Sequence, residues 1–139
     1  MSLLVYGINH RTAPLQLREK IAFGESEQPQ SIQNLLSDNS SVKECFIVST
    51  CNRTEIYCSI ESGNSENIKH WLTNEKPVSN EELLNCSYEY WDSDAVSHMS
   101  KVACGLDSMA VGEPQIMGQV KRSIAVSYTH LTLPTNHPV

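Results

Sequence analysis

Positive charge is scarce in this chain: ten Lys and Arg stand against sixteen Asp and Glu, a net charge of −6 over 139 residues. A domain that grips nucleic acid by neutralising phosphates carries the opposite balance. Any contact with such a polyanion must then be local, helped by another domain, or directed at a terminal group. Long apolar runs are missing as well. No stretch of about 18 apolar residues exists to span a bilayer. The opening Met1-Ser2-Leu3-Leu4-Val5-Tyr6-Gly7 has no basic region ahead of an apolar run, so it does not read as a secretion signal. No Gly-x-Gly-x-x-Gly occurs, and Gly105, Gly112 and Gly118 lie too far apart to cradle a pyrophosphate. Zinc-type cysteine pairs are absent: Cys45, Cys51 and Cys58 follow a Cys-x5-Cys-x6-Cys spacing, with Cys86 and Cys104 further on. Five cysteines, an odd number without a clustered framework, point to free thiols in a reducing cytoplasm and to no metal site.

What is present fits one compact domain. Leu3 to Ile8 is an apolar run of strand length, closed by polar Asn9-His10-Arg11-Thr12. Pro14 suits the first turn of a helix, where its missing N–H has no partner to lose. Leu17 and Ile21 share a face of that helix, and Gly24 stops it. Ile32, Leu35 and Leu36 mark a second short helix. Strand chemistry returns at Phe46-Ile47-Val48. Beyond Thr50-Cys51-Asn52-Arg53, alternation puts Ile56, Cys58 and Ile60 on one face of a half-buried strand. These two strands predict a hairpin, with Asn52 taking the left-handed conformation of a tight turn.

Ile68, Trp71 and Leu72 share one helix face, and Ser79-x-x-Glu82 has the form of a capping box. Cys86 to Tyr90 predicts a fourth strand. Asp92 suits an N-cap ahead of a longer helix whose buried stripe is Ala95, Met99, Val102, Ala103 and Leu106, with His98 on its flank. Gly112-Glu113-Pro114 opens a last helix carrying Ile116 and Val120. The expected class is α+β: a ferredoxin-like βαββαβ antiparallel sheet with helices on one face, plus additional C-terminal helices. The domain is expected to cover residues 1–122. From Ser123 to Val139 helical periodicity is abandoned and two prolines stand near the end, so 123–139 reads either as a short unstructured tail or as a segment foreign to the protein.

The chemistry centres on Ser49-Thr50-Cys51-Asn52-Arg53-Thr54-Glu55, a thiol in a polar turn beside a guanidinium. A nearby positive charge favours thiolate, the form that attacks carbonyl carbon. The plain alternative is an exposed or half-buried spectator cysteine. Arg53 is equally a surface arginine pairing with Glu55 or solvent. His98 alone reads as a packed or capping histidine, and Glu113 as an acid complementing a helix dipole. Cys45, Cys58, Cys86 and Cys104 read as small core residues.

Three separated strings go further: Gly7-Ile8-Asn9-His10-Arg11-Thr12-Ala13-Pro14, then Ser49 to Tyr57, then Gly105 to Lys121. In this order the chain resembles the N-terminal catalytic domain of glutamyl-tRNA reductase over roughly residues 1 to 122. That resemblance implies an enzyme that reduces glutamyl-tRNA with NADPH to glutamate-1-semialdehyde, the first step of tetrapyrrole synthesis. Cys51 would be the nucleophile that takes the glutamyl group as a thioester, whose carbonyl accepts hydride more readily than an ester. Arg53 would hold the glutamate side-chain carboxylate through its two-point fork. Thr50 and Asn52 offer further polar groups, and His98 would orient the ester or protonate the leaving oxygen. Ser108, Glu113, Pro114, Gln115 and Gln119 match substrate-pocket positions, with Glu113 facing the α-ammonium. His10 receives a structural role only.

By the same resemblance, the NADPH-binding and helical dimerisation domains are absent from this chain. It is expected to perform at most the acyl-transfer half-reaction. The parent would be a homodimer and this chain a monomer or weak oligomer. Partners implied are glutamyl-tRNA and the aminotransferase that consumes the semialdehyde. Two other classes compete: an aminoacyl-tRNA-binding module without chemistry, and a thiol redox sensor at Cys51.

Overall fold

The computed structural model describes residues 1–61 and 63–105. Four strands and five helices alternate along them: β1 (Ser2–Asn9), α1 (Leu15–Ile21), α2 (Gln28–Asp38), β2 (Val42–Thr50), β3 (Arg53–Ile60), α3 (Glu66–Glu75), α4 (Asn80–Cys86), β4 (Tyr88–Trp91) and α5 (Asp92–Ala103). The strands form one sheet in the order β2-β3-β1-β4, with every neighbouring pair antiparallel. The class is α+β, as the element pattern predicts.

Period-2 alternation sorts the central strands between two cores. Leu4, Tyr6 and Ile8 of β1, Ile47 of β2, and Ile56, Cys58 and Ile60 of β3 turn to one face. There they meet Leu17 and Ile21 of α1, Ile32 and Leu35 of α2, Ile68, Trp71 and Leu72 of α3, and Leu83 of α4. Trp71 anchors this side: its indole N–H donates to the Ser31 carbonyl at 3.0 Å, and its ring stacks on Phe23 at 5.5 Å. Val5, Val48 and Tyr57 turn the other way and pack against Ala95 of α5, with Leu3, Phe46 and Met99 at the margin.

The helices between the strands, α1–α4, lie on one face, and α5, a helix C-terminal to the last strand, covers the other. β4 ends at Trp91, and α5 folds back over the surface that α1–α4 leave open. It also explains why β3 is not half-buried: Glu55 and Tyr57, the polar half of its alternation, lie under α5. The stripe of α5 is Ala95, His98 and Val102, so His98 sits within the buried stripe and not on its flank.

Four local expectations shift. Pro14 occupies the N-cap of α1 and not its first turn. Cys86 closes α4, and β4 begins only at Tyr88. Asp92 is not the N-cap of α5. It is the first helical residue, with φ 51°, and its carboxylate accepts the Leu3 N–H at 3.0 Å, which ties α5 to the start of β1. Cys45 and Cys58 are core residues and Cys86 packs against the core, but Cys104 is exposed beyond the end of α5. Leu106 and the helix at 112–120 lie outside the described residues.

The capping box of α4 is present: the Ser79 hydroxyl accepts the Glu82 N–H at 3.1 Å, and Glu82 accepts the Ser79 N–H at 3.0 Å. Ser79→Ala is expected to lower unfolding free energy by about 1 kcal/mol in a urea titration, without altering chemistry at Cys51.

Candidate active site

β2 and β3 form a hairpin whose last paired residues are Thr50 and Arg53, leaving Cys51 and Asn52 as a two-residue turn. Asn52 does not take the expected left-handed conformation; among the described residues Asp92 is the one non-glycine with positive φ. The turn is fastened by side chains instead. The Thr50 hydroxyl accepts the Asn52 N–H at 3.2 Å, and Arg18, reaching from α1, donates to the Cys51 carbonyl at 3.2 Å. Cys51 itself is exposed at the tip. The neighbouring turn after β1 is held by Asn9, whose side-chain oxygen accepts the N–H groups of Arg11 and Thr12 at 2.9 and 3.2 Å.

Behind this tip the sheet carries polar side chains on the face that α5 covers. Register places them in rows. Arg53 lies between Thr50 on β2 and Asn9 on β1; the next row inward is Val48, Glu55, Gly7 and Tyr88, one from each strand. Arg53 is 1% exposed and pairs with Glu55 at 3.2 Å, both side chains being fully enclosed. The arginine is thus neither a surface group nor paired with solvent.

Glu55 is the hub. Its Oε1 accepts the Tyr57 hydroxyl at 2.6 Å, and its Oε2 meets Arg53, His98 Nε2 at 2.5 Å, and the Tyr88 hydroxyl in a very short hydrogen bond. Burial pushes the Glu55 carboxyl up. The hydrogen bond and charge of His98, then the charge of Arg53 and the Tyr57 hydroxyl, outweigh it and hold the group below the usual carboxylate range. Tyr88 moves the other way: burial and then the Glu55 charge push its phenol far up, so it remains a donor. His98 is wedged between this carboxylate and two rings, stacked on Tyr90 at 4.6 Å and tilted against Tyr88 at 5.6 Å.

The thiols differ by position. Burial pushes Cys58 up to about 12 and Cys45 well above its ordinary value, leaving both as packing groups. Among the described residues no group of His, Cys, Asp and Glu side chains converges as metal ligands would. Nor do these residues suit a dinucleotide, since the sheet pairs only antiparallel and offers no strand–turn–helix of a parallel βαβ unit.

Of the site residues expected from sequence, the structure gathers Thr50, Cys51, Asn52 and Arg53 at one end of the sheet and joins Arg53 to His98 through Glu55. Ser108, Glu113, Pro114, Gln115 and Gln119 lie outside the described residues. Glu55 and Gly7 stand in the motifs without being singled out as site residues, and Tyr88 and Arg18 are not singled out from the sequence at all. One signal was available: Arg53, Glu55 and Tyr57 alternate with Thr54, Ile56 and Cys58, a polar stripe as regular as the apolar one.

The comparisons with known proteins agree on one family. The family described as Glutamyl-tRNAGlu reductase, N-terminal domain, matches residues 6–136. The chain is 45% identical over 130 residues to "Glutamyl-tRNA reductase" of Pseudoalteromonas translucida (strain TAC 125), covering 94% of this chain and 31% of that protein. It is 47% identical over 125 residues to "Glutamyl-tRNA reductase" of Shewanella amazonensis (strain ATCC BAA-1098 / SB2B), covering 90% and 29%. Among solved structures, "Glutamyl-tRNA Reductase from Methanopyrus kandleri" superposes with a TM-score of 0.74 at 26% identity, covering 94% of this chain and 29% of that one. The chain spans about three tenths of the length of these relatives.

Glu55→Gln leaves the Arg53 guanidinium buried without its counter-charge, and is expected to cost roughly 3–5 kcal/mol in a urea titration at neutral pH. The folded-state value of Glu55 is lowered, so its contribution is present above the unfolded value and lost as pH falls through the folded one. The gap between wild type and Glu55→Gln should therefore narrow on acidification. Gly7→Ala would set a Cβ 2.4 Å from the Thr54 carbonyl and 2.8 Å from Glu55 Cγ. It is expected to cost about 1–3 kcal/mol in the same assay.

Proposed function

The chain belongs to the glutamyl-tRNA reductase N-terminal domain family, and from that premise we propose that Cys51 takes glutamate from its tRNA ester. The observation that carries this reading is the exposed Cys51 thiol on a side-chain-fastened turn, two residues from a buried arginine–glutamate–histidine cluster.

The thiolate attacks the ester carbonyl carbon, and a tetrahedral intermediate forms. Its collapse breaks the carbon–oxygen bond to the ribose, and the departing oxygen takes a proton. The product is a glutamyl thioester on Cys51 and free tRNA. Arg53 reads the glutamate side-chain carboxylate, with Glu55 holding the guanidinium in place. Thr50 and Asn52 shape the turn around the bound acyl group, and His98 orients the ester or, having taken the Cys51 thiol proton, passes it to the leaving oxygen. Ser108, Glu113, Pro114, Gln115 and Gln119 complete the pocket on the strength of the third motif.

For the whole protein, the same reading gives NADPH-dependent reduction of the thioester to glutamate-1-semialdehyde in the cytoplasm, feeding tetrapyrrole synthesis. A homodimer and an aminotransferase consuming the product belong to that reading. The described residues offer no site for NADPH, so this chain is assigned the acyl-transfer half-reaction. The domain boundary near residue 122 rests on the motifs. The strand order β2-β3-β1-β4, with helices between β1 and β2 and between β3 and β4, supports a ferredoxin-like arrangement. The net charge of −6 directs recognition to the aminoacyl end.

The test is intact-mass spectrometry of the chain quenched rapidly after mixing with glutamyl-tRNA. A hydroxylamine-labile glutamyl adduct on wild type and none on Cys51→Ser is the expected outcome. Binding of glutamyl-tRNA by both, with adduct on neither, would favour a binding module. Reversible oxidation of Cys51 indifferent to glutamate analogues would favour a redox sensor. NADPH-dependent semialdehyde from this chain alone would overturn the half-reaction assignment.

A further inference from the structure

Glu55 lies on β3 and Tyr88 on β4, two strands apart with β1 between them. Neighbouring strands are spaced at about 4.8 Å, so the two backbones stand roughly 10 Å from each other, and an intervening side chain would normally fill the gap. The intervening residue is Gly7, paired with Glu55 on one side and with Tyr88 on the other. Its missing side chain leaves room for the Glu55 side chain, whose Cγ lies 2.8 Å from where a Cβ would stand, and Glu55 Oε2 meets the Tyr88 hydroxyl. The same oxygen takes His98 Nε2.

An ionised carboxylate only accepts, so the ring nitrogen facing it must carry the proton. The hydrogen bond to Glu55 engages Nε2, so Nδ1 is the ring nitrogen turned away from the carboxylate. From this geometry we infer that Tyr88, acting through Glu55 across the Gly7 gap, is a positioning residue that commits His98 to its Nε2–H form and leaves Nδ1 as the nitrogen that meets the substrate.

Tyr88 supplies two things. Its hydroxyl fixes the rotation of the carboxylate, and it shares the charge that would otherwise fall wholly on His98 and Arg53. The groups facing this pair are Arg53 and Tyr57 from β3, Tyr88 and Tyr90 from β4, and His98 from α5. Val48 and Gly7 bring no charge from β2 and β1. Removing the Tyr88 hydroxyl leaves the carboxylate freer to turn and more concentrated in charge. The Nε2–H form of His98 is then held less firmly.

The inference rests on the proposed acyl transfer only in giving His98 a substrate to meet, and the test separates the two. Histidine nitrogen NMR on the wild-type chain needs no substrate. The expected result is a proton on Nε2 of His98; a ring protonated on Nδ1 alone would overturn the assignment whatever Cys51 does. The second arm is Tyr88→Phe, which keeps the ring and the fold, checked by circular dichroism. The share of the Nε2–H tautomer of His98, read from the same nitrogen shifts, is expected to fall. Acylation of Cys51 by glutamyl-tRNA is expected to fall about tenfold in maximal rate with little change in KM, part of what a well-placed acid or base contributes. A merely structural Tyr88 would leave both the tautomer and the maximal rate where they are, and that result overturns the proposal. If wild type forms no adduct, the acyl-transfer reading fails and the NMR arms still judge the positioning role.

Discussion

Everything around the candidate site depends on one buried charge. Glu55 is 0% exposed, and an isolated carboxylate in that position would cost several kcal/mol or simply protonate. It stays ionised because donors arrive from three separate elements: Arg53 and Tyr57 from its own strand, Tyr88 from β4 and His98 from α5. Each of those elements is in turn held to the others by the carboxylate. A buried ionic cluster of this kind adds little stability over an apolar core, but it tolerates few alternative arrangements, which suits a place where one histidine nitrogen must point one way.

The cluster also explains the odd composition of the sheet's second face. Toward α1–α4 the strands present Leu, Ile, Cys and Tyr6, with Ser49 and Thr54 hydrogen-bonded to each other near the hairpin. Toward α5 they present Asn9 and Arg53 nearest the hairpin tip, then Gly7, Glu55 and Tyr88, and only then Val5, Tyr57 and Phe46. Polarity thus increases toward the end where Cys51 sits, and Phe46 stacked on Tyr57 at 4.8 Å closes the apolar side. A gradient along one sheet face lets a rigid interior hold groups at its edge without loops of its own.

Much of this was legible in the sequence, and the failures have physical causes. Regular spacing disclosed the apolar faces of α1, α2 and α3, because a core stripe is a local property of a helix. The Ser79–Glu82 capping box was equally local. The hairpin around Cys51 followed from two short strands, yet its turn did not follow from Asn52. The turn is stabilised by Arg18, 33 residues away in sequence, and no window of the chain shows that contact. Arg53 was legible as a candidate from its motif, but its burial was not. Whether a polar stripe faces water or a buried layer depends on where α5 lies, which is a decision of tertiary packing. Tyr88 and Gly7 were illegible for the same reason, since their meaning lies in strand register.

Selectivity among the thiols follows from the same hairpin. Cys45 and Cys58 face each other across β2 and β3, on the side packed by α1–α4, and burial disfavours the thiolate at both. Cys51, between them in sequence, stands exposed where the strands stop pairing. One short element therefore silences two sulfurs and presents a third, and no special sequence around Cys51 is needed for the contrast. What the surrounding residues add is a fixed position for that thiol: Thr50 and Arg18 hold its backbone from either side, while Arg53, two residues on, is anchored in the Glu55 cluster. Reactive exposure and rigid placement usually conflict, because exposed turns are the mobile parts of a sheet. Here the turn is short, and its two ends are the last rungs of a strand pair buried on both faces, so the thiol reaches solvent without losing its place.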